Sequence, residues 1–118
     1  MTPKVFESEY RFLLILWREE PINSTTLAKI CKEELGWSRT TTYTVIKRLR
    51  DRGVVQNENA TVTTLVSKEA VQTAQMDELM EKTFEGSVPG FLGAFARRQS
   101  LSEKEVAEIQ RIIAKGEG

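Results

Sequence analysis

Apolar residues recur at helical spacing near the start of the chain. Between residues 8 and 18 this pattern predicts a largely buried first helix, with Ser8 as its N-cap and Pro21 as its stop. The residues expected to form its buried stripe are Phe12, Leu13, Leu14, Ile15, Leu16 and Trp17.

A second helix is expected over residues 25–35, after a short extended piece that begins at Ile22. Ser24 is its candidate N-cap and Gly36 its stop. Its inward residues are Leu27, Ile30, Cys31 and Leu35. Since free cysteines are among the most frequently buried residues, Cys31 is interpreted as a small core residue.

A third helix follows at once, capped by Ser38 and ended by Gly53 as the residue after its C-cap. Its predicted inward face consists of Thr42, Val45, Ile46 and Leu49, and its predicted outward face of Arg39, Thr40, Tyr43, Thr44 and Lys47.

Two strands are predicted directly after the third helix. Residues 54–58 and 61–66 are rich in Val and Thr, and Asn59-Ala60 lies between them as a plausible turn. Three helices followed by a hairpin, in this order, predict a winged helix-turn-helix.

The pattern returns to helix after Ser67. Gly86, Pro89, Gly90 and Gly93 are expected to break this region into a turn and a short apolar helix, and Ser102 with Glu105 predicts a capping box that opens a last helix. The apolar faces of the helices after Ser67 are larger than one small layer of helices in a single chain can cover, so we expect two chains to pair through them. The expected dimerisation residues are Phe84, Phe91, Leu92, Phe95, Val106, Ile109, Ile112 and Ile113.

The predicted fold is therefore mainly α: a winged helix-turn-helix DNA-binding domain over residues 1–67, with a C-terminal helical dimerisation region over residues 68–118. A monomer in which the last helices merely cap the winged domain is the alternative.

Charge singles out the third helix. The 118-residue chain has 17 basic and 17 acidic residues and no net charge. Residues 37–53 hold five basic residues against Asp51 alone, a net +4, so the other residues sum to −4. Positive charge concentrated on one helix of a neutral chain is typical of a DNA-reading helix.

Hydroxyl side chains stand beside this charge. The residues expected to contact DNA bases are Thr40, Thr41, Tyr43 and Thr44, since threonine and tyrosine side chains can touch base edges and thymine methyls in the major groove. Those expected to contact phosphates are Ser38, Arg39, Lys47, Arg48 and Arg50. The alternative is an ordinary solvated helix in a protein-binding winged helix.

Composition argues against several other functions. The chain has one cysteine and no histidine, so we expect no metal site, no cofactor and no Ser-His-Asp or Cys-His catalysis. The carboxylate pairs Glu19-Glu20 and Glu33-Glu34 lie at predicted helix ends with no pocket implied, so we expect no enzyme. No apolar run reaches about 18 residues, so no membrane insertion is expected and a cytoplasmic location is predicted.

Short segments occur in a characteristic order and spacing over nearly the full length of the chain, although each is degenerate alone. They are Glu9, Leu16-Trp17, Leu27, Leu35, Trp37-Ser38, Thr41-Thr42, Thr44, Arg48-Leu49, Arg52-Gly53, Leu65-Val66-Ser67, Phe84-Glu85-Gly86-Ser87, Phe95 and Leu101-Ser102. Through these segments the sequence resembles the penicillinase repressor family of transcriptional repressors.

The resemblance implies a homodimer that binds a palindromic double-stranded DNA operator and represses antibiotic-resistance or stress genes. It also implies a membrane sensor peptidase as a partner, whose signal leads to cleavage in the C-terminal region. The corresponding bond here is Ala94–Phe95, with alanine where an asparagine is expected.

The wing departs from the family pattern, because residues 53–67 contain no Lys or Arg. Two other functions stay open on these grounds: a winged-helix protein-interaction module, and a ligand-responsive regulator.

Overall fold

Helices dominate the architecture. The structure, a computed structural model, describes residues 2–98 and 100–116, and within them six helices and three short strands follow one another. The elements are α1 (Glu7–Glu19), β1 (Ile22–Asn23), α2 (Ser24–Leu35), α3 (Arg39–Asp51), β2 (Val55–Glu58), β3 (Thr61–Thr64), α4 (Lys68–Phe84), α5 (Val88–Arg98) and α6 (Glu103–Gly116). The predicted mainly helical fold with a winged helix-turn-helix is confirmed.

The core forms where α1 packs against α2, α3 and the sheet. Phe12, Leu13 and Leu16 are fully buried there together with Leu27 and Leu49. Cys31 is buried as predicted, and removal from water raises the pKa of its thiol. The prediction that Leu14 is buried is wrong: it is 39% exposed, since it points to the opposite side of α1 from Phe12 and Leu16.

Two predicted N-caps are displaced. Ser8 lies inside α1, and Phe6 is the cap residue, because the Glu9 side chain reaches back to accept the Phe6 amide at 2.9 Å. Ser24 is the first residue of α2, since the Asn23 side chain takes the capping position and accepts the Thr25 amide at 2.8 Å. Both helices therefore begin slightly earlier than predicted.

The strands form a three-stranded antiparallel sheet in the order β1-β3-β2, with Ile22 opposite Val62 and Val55 opposite Thr64. Because β1 is only two residues long, it does not reach the Thr64 amide. The Glu20 carboxylate accepts that amide at 2.7 Å instead. The carboxylate that follows α1 thus serves as the hydrogen-bond acceptor that a longer neighbouring strand would have provided.

The hairpin turn has an unusual backbone. Asn59 and Ala60 both have positive φ, 52° and 64°, which places them in the left-handed region. A two-residue turn of this kind matches the twist of the flanking strands. Asparagine adopts the conformation readily, whereas the Cβ of alanine makes it costly.

The chain divides into two compact units between Met76 and Asp77, within the continuous helix α4. The predicted boundary lies earlier, between residues 67 and 68, where α4 begins. Val71, in the first turns of α4, is buried in the core of the first unit. Whether residues 68–118 act as a separate functional region stays a prediction.

The second unit begins its own helices with defined caps. Ser87 accepts the Gly90 amide at 2.9 Å, and Ser102 and Glu105 form the predicted capping box through two bonds of 3.1 Å. The predicted turn and short apolar helix both occur: the turn lies at Glu85 and Gly86, both with positive φ, and the helix is α5. Pro89, Gly90 and Gly93, also predicted to break the region, lie inside α5 instead, since proline is tolerated near a helix start.

Candidate nucleic-acid interface

A tight turn sets α3 against α2. Gly36 ends α2 in the left-handed conformation, with φ of 72°, and its amide and that of Trp37 bond back to the carbonyls of Lys32 and Cys31. The Trp37 ring stacks on Phe12 with 6.1 Å between ring centroids and 5° between planes. The turn that leads into α3 is therefore anchored to the core.

The inner face of α3 is as predicted. Thr42, Val45, Ile46 and Leu49 are all buried, and Ser38 caps the helix by accepting the Thr41 amide at 3.1 Å. Because the hydrophobic spacing follows the 3.6-residue period, the opposite side of the helix faces solvent.

The four residues expected to contact bases are all exposed on α3: Thr40, Thr41, Tyr43 and Thr44. They are not equally free. The Ser38 hydroxyl donates to Thr41 Oγ1 at 3.0 Å, so both of these hydroxyls take part in the cap. The hydroxyls most available to an incoming base edge are consequently those of Thr40, Tyr43 and Thr44.

The predicted phosphate contacts differ in the same way. Arg39, Arg48 and Arg50 are exposed, and within residues 2–98 and 100–116 they make no ion pair. Lys47 is exposed too, but its ammonium lies 3.0 Å from the Asp51 carboxylate, one helical turn further on. Three arginines therefore present uncompensated charge around the exposed threonine and tyrosine side chains.

A fifth cation of this segment turns inward. Arg52 is the C-cap of α3, and its Nη2 lies 2.5 Å from Oε1 of the buried Glu9. Sequence reasoning missed this pair. A signal was present, since Glu9 shares the helical stripe of Leu13 and Leu16, where a carboxylate needs a partner.

The wing brings no positive charge. Between residues 53 and 67 the sequence has no Lys or Arg, and Glu58, at the end of β2, is exposed. A wing tip without cations gains nothing from phosphate neutralisation. The wing therefore adds no cation to the candidate interface on α3.

The second unit has an apolar surface. Neither α5 nor α6 has a buried residue among those described. Of the residues expected to pair two chains, Leu92, Phe95, Val106, Ile112 and Ile113 are exposed, and Phe84, Phe91 and Ile109 are half-buried. Ile112 reaches 60% exposure. The Phe91 ring lies between the other two phenylalanines, with its centroid 5.4 Å from that of Phe84 and 6.2 Å from that of Phe95.

The candidate cleavage bond, Ala94–Phe95, lies in the interior of α5. Phe95 is exposed but Ala94 is half-buried, and the bond is part of a regular helix. A peptidase needs an extended substrate strand, so cleavage here requires this turn of α5 to unwind.

Two kinds of site do not occur in the described part of the chain. No three His, Cys, Asp or Glu side chains come together as a metal-binding group. No helix there is long and apolar enough to cross a bilayer.

An anchored turn, an exposed basic helix and a small antiparallel wing define a winged helix-turn-helix protein. The sequence model of the penicillinase repressor family, described as "Penicillinase repressor", matches residues 6–115. The chain belongs to the penicillinase repressor family, as the resemblance indicated. It is accordingly a transcriptional regulator of the repressor type.

The chain is also similar in sequence to curated proteins over nearly their whole length. The chain is 21% identical to "Methicillin resistance regulatory protein MecI" of Staphylococcus aureus strain Mu50, over 97% of this chain and 96% of the relative. It is 20% identical, with the same coverage, to the proteins of that name from Mammaliicoccus sciuri and Staphylococcus epidermidis.

Proposed function

We propose that this chain acts in the cytoplasm as a homodimer that binds a palindromic DNA operator and represses antibiotic-resistance or stress genes. The DNA-binding part of this proposal rests on one observation. The exposed side of α3 places Tyr43 and Thr44 among arginines without an ion-pair partner in the part of the chain that the structure describes. Unpaired arginines position a helix on phosphates, and the side chains between them read bases.

The control of resistance genes is supported by the relatives, which are named as methicillin resistance regulatory proteins. A membrane sensor peptidase whose signal leads to cleavage at Ala94–Phe95 belongs to the same proposal. Mass spectrometry of the chain after co-expression with such a peptidase checks it, and an intact chain contradicts it.

The direct test is selection of bound fragments from random DNA by the purified chain. The expected result is enrichment of one sequence with two-fold symmetry, since a two-fold dimer presents two copies of α3. Enrichment of no sequence contradicts operator binding. The symmetry of the enriched sequence tests the dimer separately, because a monomer selects a single half-site.

The homodimer has its own matched test on α6. Ile109→Glu with Ile113→Glu places charges on the apolar side of the helix and should give monomers in sedimentation. Ala107→Glu with Ala114→Glu adds the same charge to exposed positions of the same helix, away from that side, and should stay dimeric. A wild-type chain that sediments as a monomer at micromolar concentration contradicts the dimer.

The wing favours one second function. Because it lacks cations and carries an exposed Glu58, it suits a protein partner with a basic surface better than DNA. In that case the selection recovers no preferred sequence, and replacing Arg39 with alanine leaves partner binding unchanged.

A further inference from the structure

The end of α3 is held by a half-buried side chain. Arg52 caps the helix, with its backbone amide on the Arg48 carbonyl, and only 30% of its side chain is exposed. Arg39, Arg48 and Arg50 on the same helix are all exposed. Arg52 is therefore less available to a phosphate than the other three arginines.

A buried carboxylate draws it there. Glu9 lies in the first turn of α1, and its side chain is 7% exposed. Its Oε1 accepts the Phe6 amide at 2.9 Å and lies 2.5 Å from Arg52 Nη2. Among the described residues, Arg52 Nε and Nη2 have no hydrogen-bond partner of good angle, so charge attraction at short range makes this contact.

An aromatic ring completes the site. The Arg52 guanidinium lies over the Phe6 ring, 5.3 Å from its centroid, and the Lys4 ammonium lies 5.2 Å from the same centroid. The guanidinium is thus in contact with both a carboxylate and a π face, the two partners that suit it best. The π face belongs to Phe6, the residue before α1, and the carboxylate to Glu9 in its first turn.

We infer that Glu9 and Arg52 are positioning residues that set the direction of α3 for base reading; this inference rests on the proposed function. The N-terminal end of α3 is fixed by the Ser38 cap and the stacked Trp37. The Glu9–Arg52 pair fixes its C-terminal end to α1. A reading helix anchored at both ends keeps Tyr43 and Thr44 in the geometry that discrimination between bases requires.

The inference separates Arg52 from a phosphate contact. Loss of a phosphate contact weakens binding to every sequence and lowers the salt slope. Loss of a positioning residue weakens binding to the selected operator only. Glu9 makes the distinction sharp, because a buried anion has no favourable contact with DNA, so any effect on operator binding acts through α3.

The experiment compares the variants Glu9→Gln, Arg52→Gln, Arg52→Lys and the double Glu9→Gln/Arg52→Gln in the full chain. Val71→Ala is the control, since it destabilises the core of the same unit and leaves both charged side chains in place. Each protein is measured for affinity to the selected operator, affinity to a scrambled duplex, salt slope, and hydrogen exchange of the amides of residues 49–53 in the absence of DNA.

For Glu9→Gln and Arg52→Gln we expect a loss of operator affinity of about tenfold or more, with scrambled-duplex affinity and salt slope unchanged. The double variant should lose no more than either single variant, since the two side chains act as a pair. Arg52→Lys should recover part of the loss, because it restores the charge without the planar group. Exchange at residues 49–53 should accelerate in the two Gln variants and not in Val71→Ala.

Three results overturn the inference: a lower salt slope in Arg52→Gln, an equal loss of operator preference in Val71→Ala, or unchanged exchange at residues 49–53. If the wild-type chain prefers no sequence, the proposed function fails, and with it the role in base reading. The exchange measurement then still decides whether the pair holds the end of α3.

Discussion

The indole N–H of Trp17 donates to the backbone carbonyl of Val66 at 3.1 Å, across 49 positions of sequence. This bond joins the end of α1 to the residue where the chain leaves the wing. It holds the exit of the hairpin while β3 pairs with β1 and β2 inside the sheet. The orientation of the wing therefore depends on a side chain of the first helix.

Replacing Trp17 with phenylalanine should lower the free energy of unfolding by about 1–2 kcal/mol, because the half-buried Val66 carbonyl loses its donor while most of the packing is kept. Urea denaturation measures the change. Trp37→Phe is the matched control: Trp37 stacks on Phe12 and makes no side-chain hydrogen bond within the described residues, so its loss should be smaller. Equal losses in both contradict the role of the bond.

Replacing Ala60 with glycine should stabilise the protein by about 0.5–1 kcal/mol, since glycine adopts the φ of 64° without a Cβ clash. The gain is reduced because glycine is also freer in the unfolded chain. Thermal denaturation measures it. Ala70→Gly, in the first turn of α4, should shift the melting temperature in the opposite direction.

The ion pair between Arg18 and Glu34 predicts a dependence of stability on pH. Two contacts, 2.5 and 3.2 Å long, join the guanidinium to both carboxylate oxygens, and this hydrogen bonding lowers the pKa of Glu34. A lowered pKa in the folded state stabilises the protein above the ordinary glutamate value, and that stabilisation is lost as pH falls through the folded-state pKa.

The Glu34→Gln variant should accordingly be less stable than the wild type at neutral pH, and the difference should shrink as pH falls below the ordinary glutamate pKa and through the lowered folded-state pKa. The difference should be small, because both side chains are largely solvated. Glu33→Gln removes the same charge from a neighbouring exposed residue and should show no such convergence. A gap between wild type and Glu34→Gln that persists in acid argues against the ion pair as its source.

The cations of α3 should separate into two classes when DNA binding is measured against salt. Arg39→Ala and Arg50→Ala should weaken binding to all sequences and lower the salt slope by about one unit per lost contact in each subunit. Lys47→Ala should lower it less, because Lys47 is already paired with Asp51.

Base readers should behave differently. Replacing Tyr43 or Thr44 with alanine should relax the base preference, at a cost of about 1–3 kcal/mol per contact, and leave the salt slope unchanged. Lys104→Ala in α6 removes a charge far along the chain and serves as the control. If Arg39→Ala and Lys104→Ala have equal salt slopes, the phosphate assignment of Arg39 is wrong.

Elements with a clear periodic pattern could be predicted from the sequence. The inner face of α3, its Ser38 cap and the Ser102 capping box were predicted residue by residue, because each rests on contacts within four positions of the chain. The winged helix-turn-helix followed from the order of these elements.

Contacts between distant residues could not be predicted this way. No local rule places the Glu20 carboxylate on the Thr64 amide, 44 residues away, or turns Arg52 towards Glu9. The cap of α1 was missed for a different reason: the side chain that satisfies the Phe6 amide is that of Glu9, three residues further on and within the helix, so the serine at position 8 is not needed. The candidate site was therefore predicted as a set of residues, and their division into free and engaged side chains was not.

The wing without cations also has a consequence for how such a repressor finds its target. A genome offers millions of incorrect sites, and each holds a protein in proportion to its sequence-independent attraction to the phosphate backbone. A chain that presents few unpaired cations binds these non-specific sites more weakly. Its occupancy of the correct site also changes less when the ionic strength of the cell changes. The absence of positive charge from residues 53–67 favours selective binding over strong sequence-independent binding.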